Sequence, residues 1–521
     1  MTCLSEQNPA FLVKDYAELN PTGIVLIDYP NNIKRITNYR DFEERISSIT
    51  GQMSKDGIKS EDCVAVISKG RAEVAEIFFA AMRLGAIPLT INPEQSLKFI
   101  EEIILDTNSR FIYFESCCNR SIKNSTKLKQ HCSLVSIGWE SDDVKTYDDC
   151  LQQGCLQKNS NIYGNVPSYI TYTSGSTGKP KGVLRKFTPK RWLNLYPPFL
   201  GIKFTIPEKT ERNTKYIVSR PIFHSIPDVI HAVCAGSKTI LMSTFEPNQF
   251  LKLISENELQ CCDILPSLLS VIAQKKSLIK NLNLSRLKLI CVFGAPVSNN
   301  LISECEDLFN CKVVPLFAMS EGNPILDFNQ VKEHDIPAGS LGRESKVSSI
   351  KLVNSSGNGS DFGEMWFNNP TLFESYCKQP ELTRSKFNNG WFMTGDLFSR
   401  DSDGFYYYHG RKDDMFICDG ENVYPIEIES ILCGHNVVMQ ACVVPLASSD
   451  HGDVPVAMIT CKPGETISEE KLKEHYLNHG AEFLCPRIVS VVKEIPILRS
   501  GKIDRKTIIR TFSEEAENQK L

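Results

Sequence analysis

Between residues 36 and 319, short apolar runs recur with room for about one helix between successive runs, and this rhythm is what most limits the folds open to the chain. From Ile36 to Leu89 the order is amphipathic helix (RDFEERISSITGQM), apolar strand (CVAVIS), then a helix through AEVAEIFFAAMRL that stops at Gly85. Further runs are FIYFE (111–115), SYITYT (168–173), YIVSRPIF (216–223), KTILM (238–242), CDIL (262–265), LKLICVFGAP (287–296) and KVVPLFAM (312–319). Helix-wrapped, mainly parallel sheets are expected, an α/β class. The weakly patterned stretch 116–165 reads as peripheral loops with short elements.

From Gly363 the pattern changes. GEMWF and GWFMTGDLFSRDSDGFYYYHGR are β-rich, and Asp403-Gly404 within the second is a hairpin signal, so an antiparallel subdomain is expected. After Arg411 the charged Lys412-Asp413-Asp414 leads into strand and helix patterns that suit a small α+β domain. With 521 residues the chain is too long for one core, and the division read here is 1–412 and 413–521.

Composition excludes several roles. A net charge of −4 and no concentrated basic run give no footprint for nucleic acid. The opening MTCLSEQNPAFLVKDY lacks the charged and apolar regions of a signal peptide, and no window approaches the ~20 apolar residues of a membrane span, so a soluble, cytoplasmic protein is expected. The 19 cysteines are odd in number, irregular in spacing and without a Cys-x-x-Cys pair, which favours reduced, buried thiols over disulfides or zinc.

The chemistry concentrates in YTSGSTGKPKGV (172–183). Gly175, Gly178 and Gly182 let main-chain N–H groups turn onto an anion, Thr173, Ser174, Ser176 and Thr177 supply hydroxyls, and Lys179 and Lys181 supply charge. It is a phosphate grip, but not the P-loop: Thr173 stands where that motif needs its first Gly, and Pro180 follows the lysine.

On these residues the chain resembles the adenylate-forming superfamily, which includes acyl- and aryl-CoA synthetases, carrier-loading adenylation domains and luciferases. Phe317-Ala318-Met319-Ser320-Glu321 is similar to the family's aromatic-Gly-x-Thr-Glu motif. The resemblance implies Phe317 against adenine, Ser320 at the α-phosphate and Glu321 supporting magnesium, with Ala318 and Ser320 departing from the usual Gly and Thr. Asp396 of Thr394-Gly395-Asp396 would take the ribose hydroxyls, with Arg411 as its partner, and Gly294-Ala295-Pro296 would line the adenine and acyl pockets. GRKDDMFICDGENVYPIEIE (410–429) and Pro496-x4-Gly501-Lys502 complete the likeness. They imply a hinge at Asp413 and a catalytic Lys502 that reaches the acyl carboxylate and α-phosphate and leaves before a thiol arrives.

Gly420, Glu421, Asn422 and Tyr424 resemble the pantetheine-channel run of CoA synthetases, with Asp419 in place of a usual Gly. Phe223-His224 resembles the aromatic-His pair bordering the acyl carboxylate. Amino-acid-activating relatives carry an aspartate where His224 stands, and Asp228 is no assured substitute. An aromatic or medium-chain acid without an α-amino group is therefore expected, in a pocket drawn from Phe223, Ile226, Val229, Phe293, Leu316 and Met319. The implied activity is an AMP-forming acyl- or aryl-CoA ligase using ATP, Mg2+ and CoA, as a monomer or homodimer. A freestanding enzyme loading an acyl carrier protein is the alternative, and a catalytically silent binder the third reading, disfavoured by Glu321, Asp396, Arg411 and Lys502 together. The resemblance also implies that Lys502 could be an acetylation target.

Overall fold

The computed structural model describes residues 8–115, 119–140, 143–154, 168–173, 181–186, 215–218, 222–234, 236–322, 325–328, 336–448, 452–497 and 503–518. The chain divides into two compact units: Met1–Gly294, Cys305–Asn329 and Asn369–Ser385 form the first, and Ala295–Glu304, Gln330–Asn368 and Lys386–Leu521 the second. Among the described residues no helix is long and apolar enough to cross a membrane.

The first unit holds two large sheets. One runs Ser375–Tyr376, Lys181–Lys186, Ser168–Thr173, Ile87–Ile91, Cys63–Ile67, Phe111–Glu115, Ser133–Ile137, Lys145–Thr146. Its ladders are parallel from Ser168–Thr173 onward and antiparallel at the other edge. The second runs Lys312–Pro315, Leu289–Val292, Cys261–Ile264, Lys215–Val218, Lys238–Leu241, Ile24–Asp28, Arg35–Asn38, and only its last pair is antiparallel.

One core joins both sheets. It takes Val64 and Val66 from the first, Leu26 and Leu241 from the second, and Phe42, Ile46, Phe78, Phe79, Ile226 and Val229 from the helices Tyr39–Lys55, Ala72–Arg83 and Ile222–Cys234. Helix Ala72–Arg83 is buried along its whole length, as a helix covered on every side must be, so its charges all need partners. Glu73 accepts from Arg35 at 2.6 Å and Arg71 at 3.0 Å, Glu76 from Arg45 at 2.8 Å and the Tyr147 hydroxyl at 2.5 Å, and Arg83 donates to Glu43 and to the Ala10 carbonyl. Burial opposes ionisation of Glu73, but the two guanidinium groups outweigh it and hold the carboxyl well below the usual range. Burial dominates at Glu76, whose carboxyl is pushed up.

The α/β reading holds, with local corrections. Ile87–Ile91 is a strand that the sequence reading, which stops the helix at Gly85, does not name, because its five residues follow the Gly85 turn at once. Ile24–Asp28 and Arg35–Asn38 were not anticipated. The strand read over 216–223 ends at Val218, and Ile222 opens a helix. Ser133–Ile137 and Lys145–Thr146, within the stretch read as peripheral loops, extend the first sheet at its edge.

The second unit carries the expected antiparallel meander. Ser349–Val353, Phe362–Asn368, Trp391–Arg400 and Tyr406–Arg411 pair in sequence order, and Gly404 N–H donates to the Asp401 carbonyl at 3.1 Å in the turn. Beyond it a five-stranded sheet is built on the long pair Val438–Ser448 and Gly452–Cys461. Alternation along these strands sends Val443, Ala457 and Ile459 toward Ile428, Leu432 and Leu472 of helices Pro425–Cys433 and Glu469–Leu477. Cys442, Val444, Val456 and Met458 go instead toward Ile508 and Phe512 of helix Arg505–Asn518.

Candidate functional site

The glycine-rich segment is the connection of a hairpin. Thr173 and Lys181 are register partners at the ends of two antiparallel strands, so both ends of the loop are fixed by one ladder, while residues 174–180 lie outside the described residues. Strand Ser375–Tyr376 adds to the outer edge of this hairpin, pairing Ser375 with Leu184 and Tyr376 with Val183. Main-chain bonds from Glu374 N–H to the Leu184 carbonyl and from Cys377 N–H to the Gly182 carbonyl, both 2.8 Å, extend the pairing, and Lys186 is ion-paired with Glu374.

This added strand also holds Glu321. Tyr376 Oη donates to Glu321 Oε1 at 2.7 Å, and Phe373 N–H donates to the Glu321 carbonyl at 2.7 Å. Lys181 Nζ lies 5.8 Å from the centroid of the Tyr376 ring. Lys181, Tyr376 and Glu321 are thus brought together from three distant places in the chain. Ser320 is half-buried beside Glu321, and Met319 forms an isolated bridge with Gly322 that tightens the turn.

The adenine and acyl candidates fall at the carboxyl ends of neighbouring parallel strands, the edge where α/β sheets bind ligands. Phe293 and Gly294 follow strand Leu289–Val292, and Leu316 and Phe317 follow strand Lys312–Pro315; Phe293, Leu316, Phe317 and Met319 are half-buried, and Gly294, Ala295 and Pro296 exposed. Ile226 and Val229, by contrast, are fully buried within the main core between the sheets. His224 and Phe223 lie in the first turn of helix Ile222–Cys234, and their side chains are outside the described residues.

In the second unit, Thr394-Gly395-Asp396 sits inside strand Trp391–Arg400, opposite Arg411 in register. Gly395 has φ +74°, and a β-carbon there would stand 2.9 Å from Arg411 Nη2, so both backbone angle and space call for glycine. Arg411 Nη1 donates to Asp396 Oδ1 and to the Thr394 carbonyl, each at 3.1 Å. Burial works against the Arg411 charge, yet Asp396 and the Tyr408 phenol outweigh it and keep the guanidinium firmly protonated. Glu364 locks the turn from the next strand, accepting from Gly395 N–H at 3.0 Å and Lys412 Nζ at 3.1 Å. Asp413 follows in the short turn Lys412–Asp414, with its carboxylate 3.9 Å from Arg411 Nη2.

The run around Gly420 is the turn of a hairpin between Phe416–Cys418 and Glu421–Val423. Asp419 and Gly420 have φ +51° and +85°, the two left-handed residues of a tight hairpin. Asp tolerates that conformation better than most side chains, so its replacement of glycine keeps the turn intact. Glu421 and Asn422 are exposed, and Tyr424 caps helix Pro425–Cys433.

Gly501 and Lys502 are outside the described residues, but the residues on either side of them are joined. Ile497 bridges Ile503, and Asp504 N–H donates to the Pro496 carbonyl at 2.8 Å. Arg505, next along, donates to the Val443 carbonyl at 2.5 Å and to Glu429 at 2.9 Å, with Asp414 3.7 Å away, and so ties the loop to the turn that contains Asp413.

A family model described as AMP-binding enzyme matches residues 13–377, and one described as AMP-binding enzyme C-terminal domain matches residues 427–502. The chain belongs to the AMP-binding enzyme family. Among this family it is similar to acid–thiol ligases. A 2-succinylbenzoate–CoA ligase of Oceanobacillus iheyensis is 25% identical over 97% of this chain and 100% of the relative. A long-chain-fatty-acid–CoA ligase of Mycobacterium tuberculosis is 25% identical over 97% and 98%. The crystal structure of the anthranilate CoA ligase AuaEII in complex with anthranoyl-AMP shares the fold, with TM-score 0.85 and 21% identity over 99% of this chain and 98% of that one.

For this AMP-binding enzyme, sequence reasoning missed Tyr376 and Glu364. Tyr376 is 55 residues from the carboxylate it holds, and nothing in the SYCKQ run distinguishes it from a core aromatic. Glu364 reads as one more polar residue of a strand, and only the strand register reveals that it faces the Gly395 turn.

Proposed function

We propose that the chain activates a carboxylic acid with ATP and then transfers the acyl group to the thiol of CoA. A carboxylate oxygen attacks the α-phosphorus, the bond to the bridging oxygen breaks and pyrophosphate leaves. The thiol sulfur, losing its proton, then attacks the acyl carbon and AMP departs. Residues 173–179 and Lys181 would hold the phosphates, Phe317 the adenine, Asp396 and Arg411 the ribose, and Lys502 the charge where carboxylate and phosphate meet. The hinge would lie at Asp413, with the mobile domain 413–521 withdrawing Lys502 before the thiol step, and Gly420, Glu421, Asn422 and Tyr424 would serve the thiol channel.

The observation that carries the reading is the Asp396–Arg411 pair. Asp396 keeps a carboxylate in place through Arg411 while Gly395 turns the backbone away, an arrangement suited to two vicinal hydroxyls. Mg2+ fits the first unit. Glu321 has one oxygen on Tyr376, its other oxygen has no partner among the described residues, and no cluster of three or more ligand side chains occurs among them. A single carboxylate plus substrate phosphates is how Mg2+ is commonly held, and when bound it would neutralise phosphate charge.

The acid is proposed to be aromatic or medium-chain, without an α-ammonium group. His224 in place of an acidic residue and the apolar Phe293, Leu316 and Met319 support this, as do the aryl and fatty acids in the relatives' names. The 15 free cysteines among the described residues fit a reducing, cytoplasmic setting. The test is ATP-dependent pyrophosphate release across aryl, alkyl and amino acids, with and without CoA, and with product masses. One acid giving AMP and its CoA thioester is expected. Adenylate that ignores CoA would indicate a carrier-protein thiol instead, and no turnover with any acid would overturn the reading.

A further inference from the structure

Two independent connections converge on the short strand Ser375–Tyr376. On one side it is paired with the hairpin that carries the glycine-rich loop, through register partners at Leu184 and Val183 and main-chain bonds at Glu374 and Cys377. On the other side it grips Glu321 twice, once by the Phe373 N–H on the main-chain carbonyl and once by the Tyr376 hydroxyl on the carboxylate. No ladder joins Glu321 directly to that hairpin among the described residues, so the link between them runs through this strand.

We propose that Tyr376 is a positioning residue that sets the Glu321 carboxylate relative to the hairpin strand Lys181–Lys186. The inference rests on the adenylation reading above. Its chemistry follows from the two functions of one side chain. The hydroxyl donates to Oε1 and thereby fixes the rotation of the carboxylate, leaving Oε2 as the oxygen free to turn toward a cation or phosphate. The ring, buried to 3% exposure, lies beneath the Lys181 ammonium and so sees the phosphate loop's own cation. A buried tyrosine needs a partner for its hydroxyl, and here that need is met by a carboxylate assigned to the reaction instead of by the protein's framework.

Tyr376→Phe separates these functions, because it keeps the ring and removes only the donor. The expected result is a kcat for pyrophosphate release lowered roughly tenfold, the loss of one hydrogen bond to a charged group, with the KM for the acid unchanged. The required Mg2+ concentration should rise, both in turnover and in calorimetric titration of ATP binding. A double-mutant cycle decides the route. If Tyr376 acts through Glu321, then Tyr376→Phe should change kcat less than twofold in a Glu321→Gln background. If its effect there is still tenfold, Tyr376 has a purely structural role and the proposal fails. Tyr376→Leu, which also removes the ring beneath Lys181, should weaken ATP binding in either background; no difference from Tyr376→Phe would remove Lys181 from the argument. Thermal unfolding of each variant separates a folding defect from a positioning one. Should the wild-type chain turn over no acid at all, the calorimetric Mg2+ dependence of ATP binding still tests the Tyr376–Glu321 link apart from the adenylation reading.

Discussion

At the scale of single residues, Asp396 and Gly395 have separable duties. Asp396→Asn keeps shape and removes the charge that holds Arg411 and that, in the proposed function, would take the ribose hydroxyls; about 1.5–3 kcal/mol for a charged hydrogen bond predicts a KM for ATP raised about 10- to 100-fold, measured in the pyrophosphate assay. Gly395→Ala places a β-carbon at φ +74° and 2.9 Å from Arg411 Nη2, so it should cost about 1–2 kcal/mol of stability in a denaturant titration and also raise the KM for ATP. Both residues were legible in the sequence because Thr-Gly-Asp is contiguous. Glu364 and Tyr376 were not, since they meet their partners at sequence distances of 31 and 55 residues that no local pattern specifies. The same limit explains Ile226 and Val229. Their apolar character suits a pocket as well as a core, and only the structure shows that both are buried between the two sheets.

At the scale of elements, helix Ala72–Arg83 is the most exacting piece of the first unit, since a helix buried on all sides must satisfy every charge it carries. Glu73→Gln removes the carboxylate that Arg35 and the buried Arg71 share, leaving them Asp28 and Glu115, and is expected to cost about 1.5–3 kcal/mol in chemical denaturation. Removing Glu381 from Arg384, a pair with side chains 85% and 71% exposed, should change stability by less than about 1 kcal/mol. The sign with pH follows from the depressed Glu73 carboxyl. Its stabilisation is fully present above the ordinary value of 4.5 and is lost as pH falls below it, so the wild type should lose stability on acidification more steeply than Glu73→Gln. The helix itself was readable from AEVAEIFFAAMR, but its burial was not, because three charges within an apolar stretch read equally as a solvated face.

At the scale of the molecule, the order of strands and helices was largely written in the hydrophobic rhythm, while the strands that it missed are short and adjoin turns, as at Ile87–Ile91. What no rhythm can convey is which residues permit movement. Asp413 lies in the turn Lys412–Asp414, immediately after Arg411 and Lys412 are fixed by Asp396 and Glu364, and the same turn meets Arg505 through Asp414. A rotation that separates the two half-reactions would be absorbed there, because the residues before it are held by the meander and those after it by the five-stranded sheet. Proline fixes φ near −65°, a value compatible with a helical turn but not with wide rotation. Asp413→Pro is therefore expected to leave pyrophosphate release within about twofold of wild type and to slow thioester formation at least roughly tenfold. Running both assays on one preparation, with the adenylate and the CoA thioester resolved by mass, makes the comparison internal: equal losses in the two half-reactions would move the hinge away from Asp413, whereas accumulation of enzyme-bound adenylate would assign the rotation to it.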